Sequence, residues 1–80
     1  MSNDPVDDDA WLLQERRRIG RRIYDAREYR GLTQEQVFLA VPLNRAYYQE
    51  IEGGRANPTL EMLLRIARAI GVHVSDLLRN

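Results

Sequence analysis

The chain has 80 residues, twelve basic and twelve acidic side chains, and no cysteine. That length holds one small domain, the missing cysteine excludes a disulfide framework or thiolate-bound zinc, and no apolar run approaches the roughly 20 residues of a membrane span. The balanced charge hides an asymmetry: Asp4, Asp7, Asp8 and Asp9 crowd the first ten residues, leaving twelve arginines against eight carboxylates from Trp11 onward. Arginine without lysine suits phosphate and guanine recognition, although a genome rich in arginine codons accounts for it equally well. The acidic N-terminus is unlike a secretory signal, and a cysteine-free chain suits the cytoplasm. Both features lead to the expectation of a cytoplasmic protein.

Residues 1–9 lack an apolar period and include Pro5, so they are expected to form a disordered acidic tail. A first helix is expected from Asp8 or Asp9, either of which can cap it. Leu12, Ile19, Ile23 and Ala26 lie on its inner face, and Gly31 stops it. Gly20 costs about 1 kcal/mol relative to alanine in mid-helix. The reading therefore separates an N-terminal helical extension, residues 10–18, from a domain over residues 19–80. Thr33 and Gln36 form a capping box that opens a second helix, with Val37, Phe38 and Val41 inward and Pro42 as its end.

Asn44 caps a third helix running to about Glu52, closed by Gly53-Gly54. Pro58 and Thr59 start a fourth, on which Leu60, Leu63, Leu64, Ala67 and Ile70 recur at helical spacing as a buried stripe. Gly71 stops it, and Ser75 is expected to cap a short fifth helix carrying Leu77 and Leu78. No segment alternates with the period of two that marks a half-buried strand. The fold class is all-α, five helices around one core.

Only Pro42 to Asn44 separate the second and third helices, a connection short enough for a DNA-reading corner. On the third helix, Tyr48 and Ile51 share the inner face. Ala46, Gln49, Glu50 and Gly53 form the opposite face, with Arg45 and Tyr47 on the flanks.

Several motifs occur in a fixed order: Gly20-Arg-Arg-Ile23, Arg27, Gly31-Leu-Thr-Gln-Glu35, Ile51-Glu-Gly-Gly-Arg55, Asn57-Pro-Thr-Leu60 and Ile66-Ala-Arg-Ala-Ile-Gly-Val72. Together they resemble the Cro/lambda-repressor (XRE) helix-turn-helix family over about Ile19 to Leu78. The resemblance implies a transcriptional regulator without a cofactor or metal, similar to phage-repressor domains and restriction–modification controllers. It places the N-terminal end of the helix at about 44–52 deepest in the major groove, with Arg45, Ala46, Gln49 and Glu50 near base edges.

Chemistry supports each of those assignments. Arginine donates twice to guanine, glutamine pairs with adenine, glutamate accepts from cytosine, and alanine leaves room for a thymine methyl. The expected backbone contacts are Asn44, which also serves as a cap, with Tyr47 and Arg55, and Gln34, at which the resemblance implies a backbone clamp. Arg27 and Glu52 are implied to form a structural ion pair. Three residues depart from the family pattern: Phe38 stands for a small alanine, Pro42 for a glycine or asparagine in the turn, and Tyr48 for a buried aliphatic residue. They point to a reshaped turn.

Double-stranded DNA is thus the expected partner, and the resemblance implies a homodimer; Leu77 and Leu78 with the N-terminal Trp11, Leu12 and Leu13 are apolar ends that either form its interface or close the small core. The competing reading keeps the scaffold but makes it a protein-interaction module, an antitoxin or a regulator's antagonist, motivated by the acidic tail and apolar ends. An enzyme is not expected, because the single histidine, His73, sits beside Val72 and Val74 in neither a triad nor a metal-ligand neighbourhood.

Overall fold

The structure, a computed structural model, describes the backbone of residues 5–80 and the side chains from Asp8 onward. The described residues form five helices: α1 (Pro5–Tyr29), α2 (Gln34–Ala40), α3 (Arg45–Glu52), α4 (Leu60–Ile70) and α5 (Val74–Leu78). α1 is the spine, packing against α3, α4 and α5, while α2 packs on α3 and α4. The core is built from Ile23, Val37, Phe38, Val41, Tyr48, Ile51, Leu63, Ile66, Ala67, Ile70 and Leu77.

The caps follow the residue chemistry. Thr33 Oγ1 accepts from the Gln36 amide at 3.1 Å, and Gln36 Oε1 accepts from the Thr33 amide at 2.8 Å. Asn44 Oδ1 accepts from the Tyr47 amide at 2.8 Å, and Thr59 Oγ1 from the Met62 amide at 3.1 Å. Between α2 and α3 the Val41–Pro42 peptide is cis and no residue is left-handed. The Leu43 amide donates to the Phe38 carbonyl across that turn.

Five expectations need correction. The first helix starts at Pro5, so residues 5–9 of the segment read as a disordered tail are helical, and residues 1–4 lie outside the described residues. Proline is tolerated at a first helical position, and the aspartates behind it lie where the helix dipole favours negative charge. α1 also runs unbroken through Gly20. A Cβ there would sit 2.5 Å from the Glu52 carbonyl oxygen and 2.6 Å from that of Ile51, so this glycine marks a close helix crossing and not a break. Leu12 lies outside the inner face that was read for α1 and is exposed.

On α4 the buried stripe is Leu63, Ile66, Ala67 and Ile70, whereas Leu60 is 62% and Leu64 47% exposed. At the last helix the cap position is His73, whose amide donates to Asp76 Oδ2 at 3.3 Å, and Ser75 lies inside α5.

Gly54 tightens the same crossing from the other side. It is left-handed, with φ +74°, and a Cβ on it would lie 2.7 Å from Arg17 Cα. The C-terminal end of α3 is therefore clamped onto α1 by two contacts that leave no room for a side chain. Side-chain hydrogen bonds to main-chain carbonyls tie the same spine to the C-terminal segment and to Gly71. Arg18 donates to the carbonyls of Leu78 and Arg79 at 2.7 and 2.8 Å, Arg22 to that of Asp76 at 2.9 and 3.1 Å, and Arg30 to that of Gly71 at 2.7 Å.

Candidate nucleic-acid interface

α3 buries one side and opens the other. Tyr48 and Ile51 are in the core, while Arg45, Ala46 and Gln49 are exposed and Tyr47 and Glu50 half-buried. This is the rotation the helical spacing demands once Tyr48 and Ile51 are inside. Asn44 and Arg55 are exposed at the two ends of the helix, and Gln34 is half-buried at the first position of α2.

Beneath that face lies an ionised centre. Arg27 Nε donates to Glu52 Oε2 at 2.7 Å and its Nη2 to Oε1 at 3.2 Å, in a fork on which the two side chains are only 7% and 6% exposed. Arg27 Nη1 also donates to the Leu32 carbonyl at 2.9 Å. The Tyr48 hydroxyl donates to Glu52 Oε2, and Gln34 Nε2 to Oε1 at 3.1 Å. Burial pushes the Glu52 carboxyl up, but hydrogen bonds from Arg27, Tyr48 and Gln34 and the arginine's charge outweigh it and hold Glu52 below its ordinary value. The bond to Glu52 raises Arg27, and burial, with that same carboxylate, raises Tyr48.

Two of the three departures from the family pattern are absorbed here. Tyr48 fills the place of an aliphatic residue because its hydroxyl finds a charged acceptor. Phe38 is 5% exposed and packs beside it, ring centroids 6.3 Å apart.

On the outer face the charged residues pair locally. Arg45 Nη2 meets Glu35 Oε2 at 3.1 Å and its guanidinium stands 5.0 Å over the Phe38 ring. Arg55 pairs with Glu50. Gln49 Nε2 donates to Gln34 Oε1 at 3.1 Å. The structure thus brings Gln34 to Gln49 and Glu50 to Arg55, and it employs Asn44 as the cap of α3. Glu35, absent from the sequence-derived site, joins it as the partner of Arg45. Its position two residues after the Thr33 cap offered no signal, since the pairing depends on the corner between α2 and α3. Exposed pairs of this kind contribute about 0–1 kcal/mol, so they reopen at little cost.

No helix among the described residues is long and apolar enough to cross a membrane, and they contain no cluster suited to a metal ion.

A small helical domain that wedges one short helix under another and leaves the second helix's polar side open defines the helix-turn-helix class. Residues 23–77 match the helix-turn-helix family, and the chain belongs to it. The chain is 42% identical over 57 residues to the immunity repressor protein of Bacillus phage phi105, covering 71% of this chain and 40% of that protein. It is 36% identical over 59 residues to the HTH-type transcriptional regulator DdrOP3 of Deinococcus deserti, covering 74% and 46%. The control protein C.MunI of a Mycoplasma species is 34% identical over 61 residues, covering 75% and 82%. The first two relatives are thus matched over less than half of their length.

Among solved structures, the restriction-modification controller protein C.AhdI from Aeromonas hydrophila superposes with a TM-score of 0.73 at 30% identity. The match covers 76% of this chain and 92% of that one.

Proposed function

We propose that the chain is a sequence-specific, DNA-binding transcriptional regulator, with α3 as its major-groove element. The observation that carries this reading is the open polar face of α3, held rigidly from behind by the Arg27–Glu52 pair. Arg45, Ala46, Gln49 and Glu50 read base edges. Asn44, Tyr47 and Arg55 face the sugar–phosphate backbone, and Gln34, bonded to both Glu52 and Gln49, stands behind the reading face. Relatives named as repressors, regulators and controllers support the same role.

The regulator acts as a homodimer on a near-palindromic operator, with recognition helices about 34 Å apart. Leu77 is excluded from the mating surface because it is fully buried. The exposed pair Leu60 and Leu64, one turn apart on α4, is the apolar surface that supports it, together with Trp11 and Leu12, which are 59% and 42% exposed on α1. Sedimentation of wild type and of Leu64→Glu checks this, the variant being expected to shift toward monomer.

A second reading, the protein-interaction module, is favoured by one observation. The charges on the open face balance, Arg45 and Arg55 against Glu35 and Glu50. Selection of bound duplexes from a random pool, followed by mobility shift at rising salt, separates the two. A regulator enriches one motif and loses affinity steeply with salt, whereas an interaction module enriches none.

A further inference from the structure

The glutamine on the reading face does not point freely into solvent. It ends a chain of hydrogen bonds that begins at a buried carboxylate: Glu52 Oε1 accepts from Gln34 Nε2 at 3.1 Å, and Gln34 Oε1 accepts from Gln49 Nε2 at 3.1 Å. Glu52 is kept ionised by the guanidinium forked onto it, and an ionised carboxylate can only accept. Gln34 must therefore turn its NH2 inward, which leaves its oxygen outward. That oxygen can only accept as well, so Gln49 must offer it an N–H. What remains on Gln49 is a free oxygen and one free N–H, in a fixed order along the face of α3.

We infer that Gln34 is a positioning residue for base recognition, transmitting the polarity of the Glu52 carboxylate to Gln49 and committing Gln49 to a base edge that offers a donor beside an acceptor. In the major groove that edge is adenine, whose N6 amino group donates to the oxygen while N7 accepts the N–H. A glutamine free to flip presents both orders and must be ordered on binding. Here the order is set before DNA arrives. The inference rests on the reading that Gln49 contacts bases, and it gives Gln34 a different duty from a backbone clamp.

The test is selection from a random duplex pool, with affinities then measured on single-base variants of the selected site, for wild type, Gln49→Ala and Gln34→Leu. Leucine keeps the bulk of glutamine at the first position of α2 and removes both hydrogen bonds, and a thermal melt verifies that the variant is folded. Wild type should prefer adenine at one position of each half-site by about fivefold to about a hundredfold. Gln49→Ala should erase that preference. Gln34→Leu should reduce it at the same position, by a factor on the order of three to ten, and leave every other position unchanged.

A uniform loss across all sequences in Gln34→Leu would mark a backbone contact and overturn the inference. So would an unchanged preference in Gln34→Leu while Gln49→Ala loses it. If Gln49→Ala itself changes nothing, Gln49 is not a base reader, and the failure lies in the underlying reading of the site. An independent readout needs no DNA. The side-chain NH2 of Gln49 should show restricted motion by 15N relaxation in wild type and free motion in Gln34→Leu and in Gln34→Met. Equal mobility in all three would also overturn the inference.

Discussion

α3 carries two arginine–glutamate arrangements of opposite character, one behind it and one in front. Behind, Arg27 and Glu52 are almost wholly out of water and are bonded further by the Leu32 carbonyl, the Gln34 amide and the Tyr48 hydroxyl. In front, Arg45–Glu35 and Arg55–Glu50 have side chains 47% to 64% exposed. The chemistry is the same and the consequences are not. A buried pair cannot lose one member without stranding the other, whereas an exposed pair exchanges partners readily. A helix that must stay in place yet rearrange its surface on a ligand uses each kind where it fits.

Breaking the rear pair should have the largest effect. Arg27→Met should lower stability by about 3–5 kcal/mol at neutral pH, measured by urea denaturation. The pH dependence sharpens the comparison. Glu52 lies below its ordinary value in the folded chain, so its contribution is complete above the unfolded carboxyl's pKa of about 4.3. It is lost as pH falls through the folded value. The gap between wild type and Arg27→Met should therefore narrow in acid, since protonated Glu52 no longer needs its partner. A gap that stays constant down to pH 3 would place the pair's importance in packing alone.

Tyr48→Phe removes one hydrogen bond to a charged acceptor and should cost about 1.5–3 kcal/mol, with the fold retained. Gly20→Ala comes next, at about 1–3 kcal/mol. The added methyl meets carbonyl oxygens of α3, and this outweighs the better helix propensity of alanine. The smallest effect on stability belongs to the front. Glu35→Gln should change the melting free energy by less than about 0.5 kcal/mol while raising affinity for DNA of any sequence, because it removes a negative charge beside Arg45. Mobility shift on unrelated duplexes checks it.

Much of this division is readable from the residues. Capping side chains announce where α2 and α3 start, and the spacing of Tyr48 and Ile51 fixes which way α3 faces. α4 shows where such reading fails. Its sequence, LEMLLRIARAI, is apolar around much of its circumference. Two overlapping stripes satisfy the helical period, and the packing partners α1, α2 and α5 decide between them. Gly20 was legible only as a cost, because its benefit lies on another helix 31 residues away in the chain. Arg27 and Glu52 came from family resemblance. Gln34's inward bond to Glu52 and Glu35's contact with Arg45 depend on the relative placement of α2 and α3, which no local pattern encodes.

The way α1 holds the far end of the molecule has a further consequence. Arg18 and Arg22 grip carbonyl oxygens of residues 76, 78 and 79, and every amino acid supplies a carbonyl. The hold is indifferent to the side chains of those residues, so replacing exposed Arg79 leaves it in place, whereas replacing either arginine opposite removes it. Tags or fusion partners joined after Asn80 leave this latch intact, but trimming the chain back past Leu78 opens it.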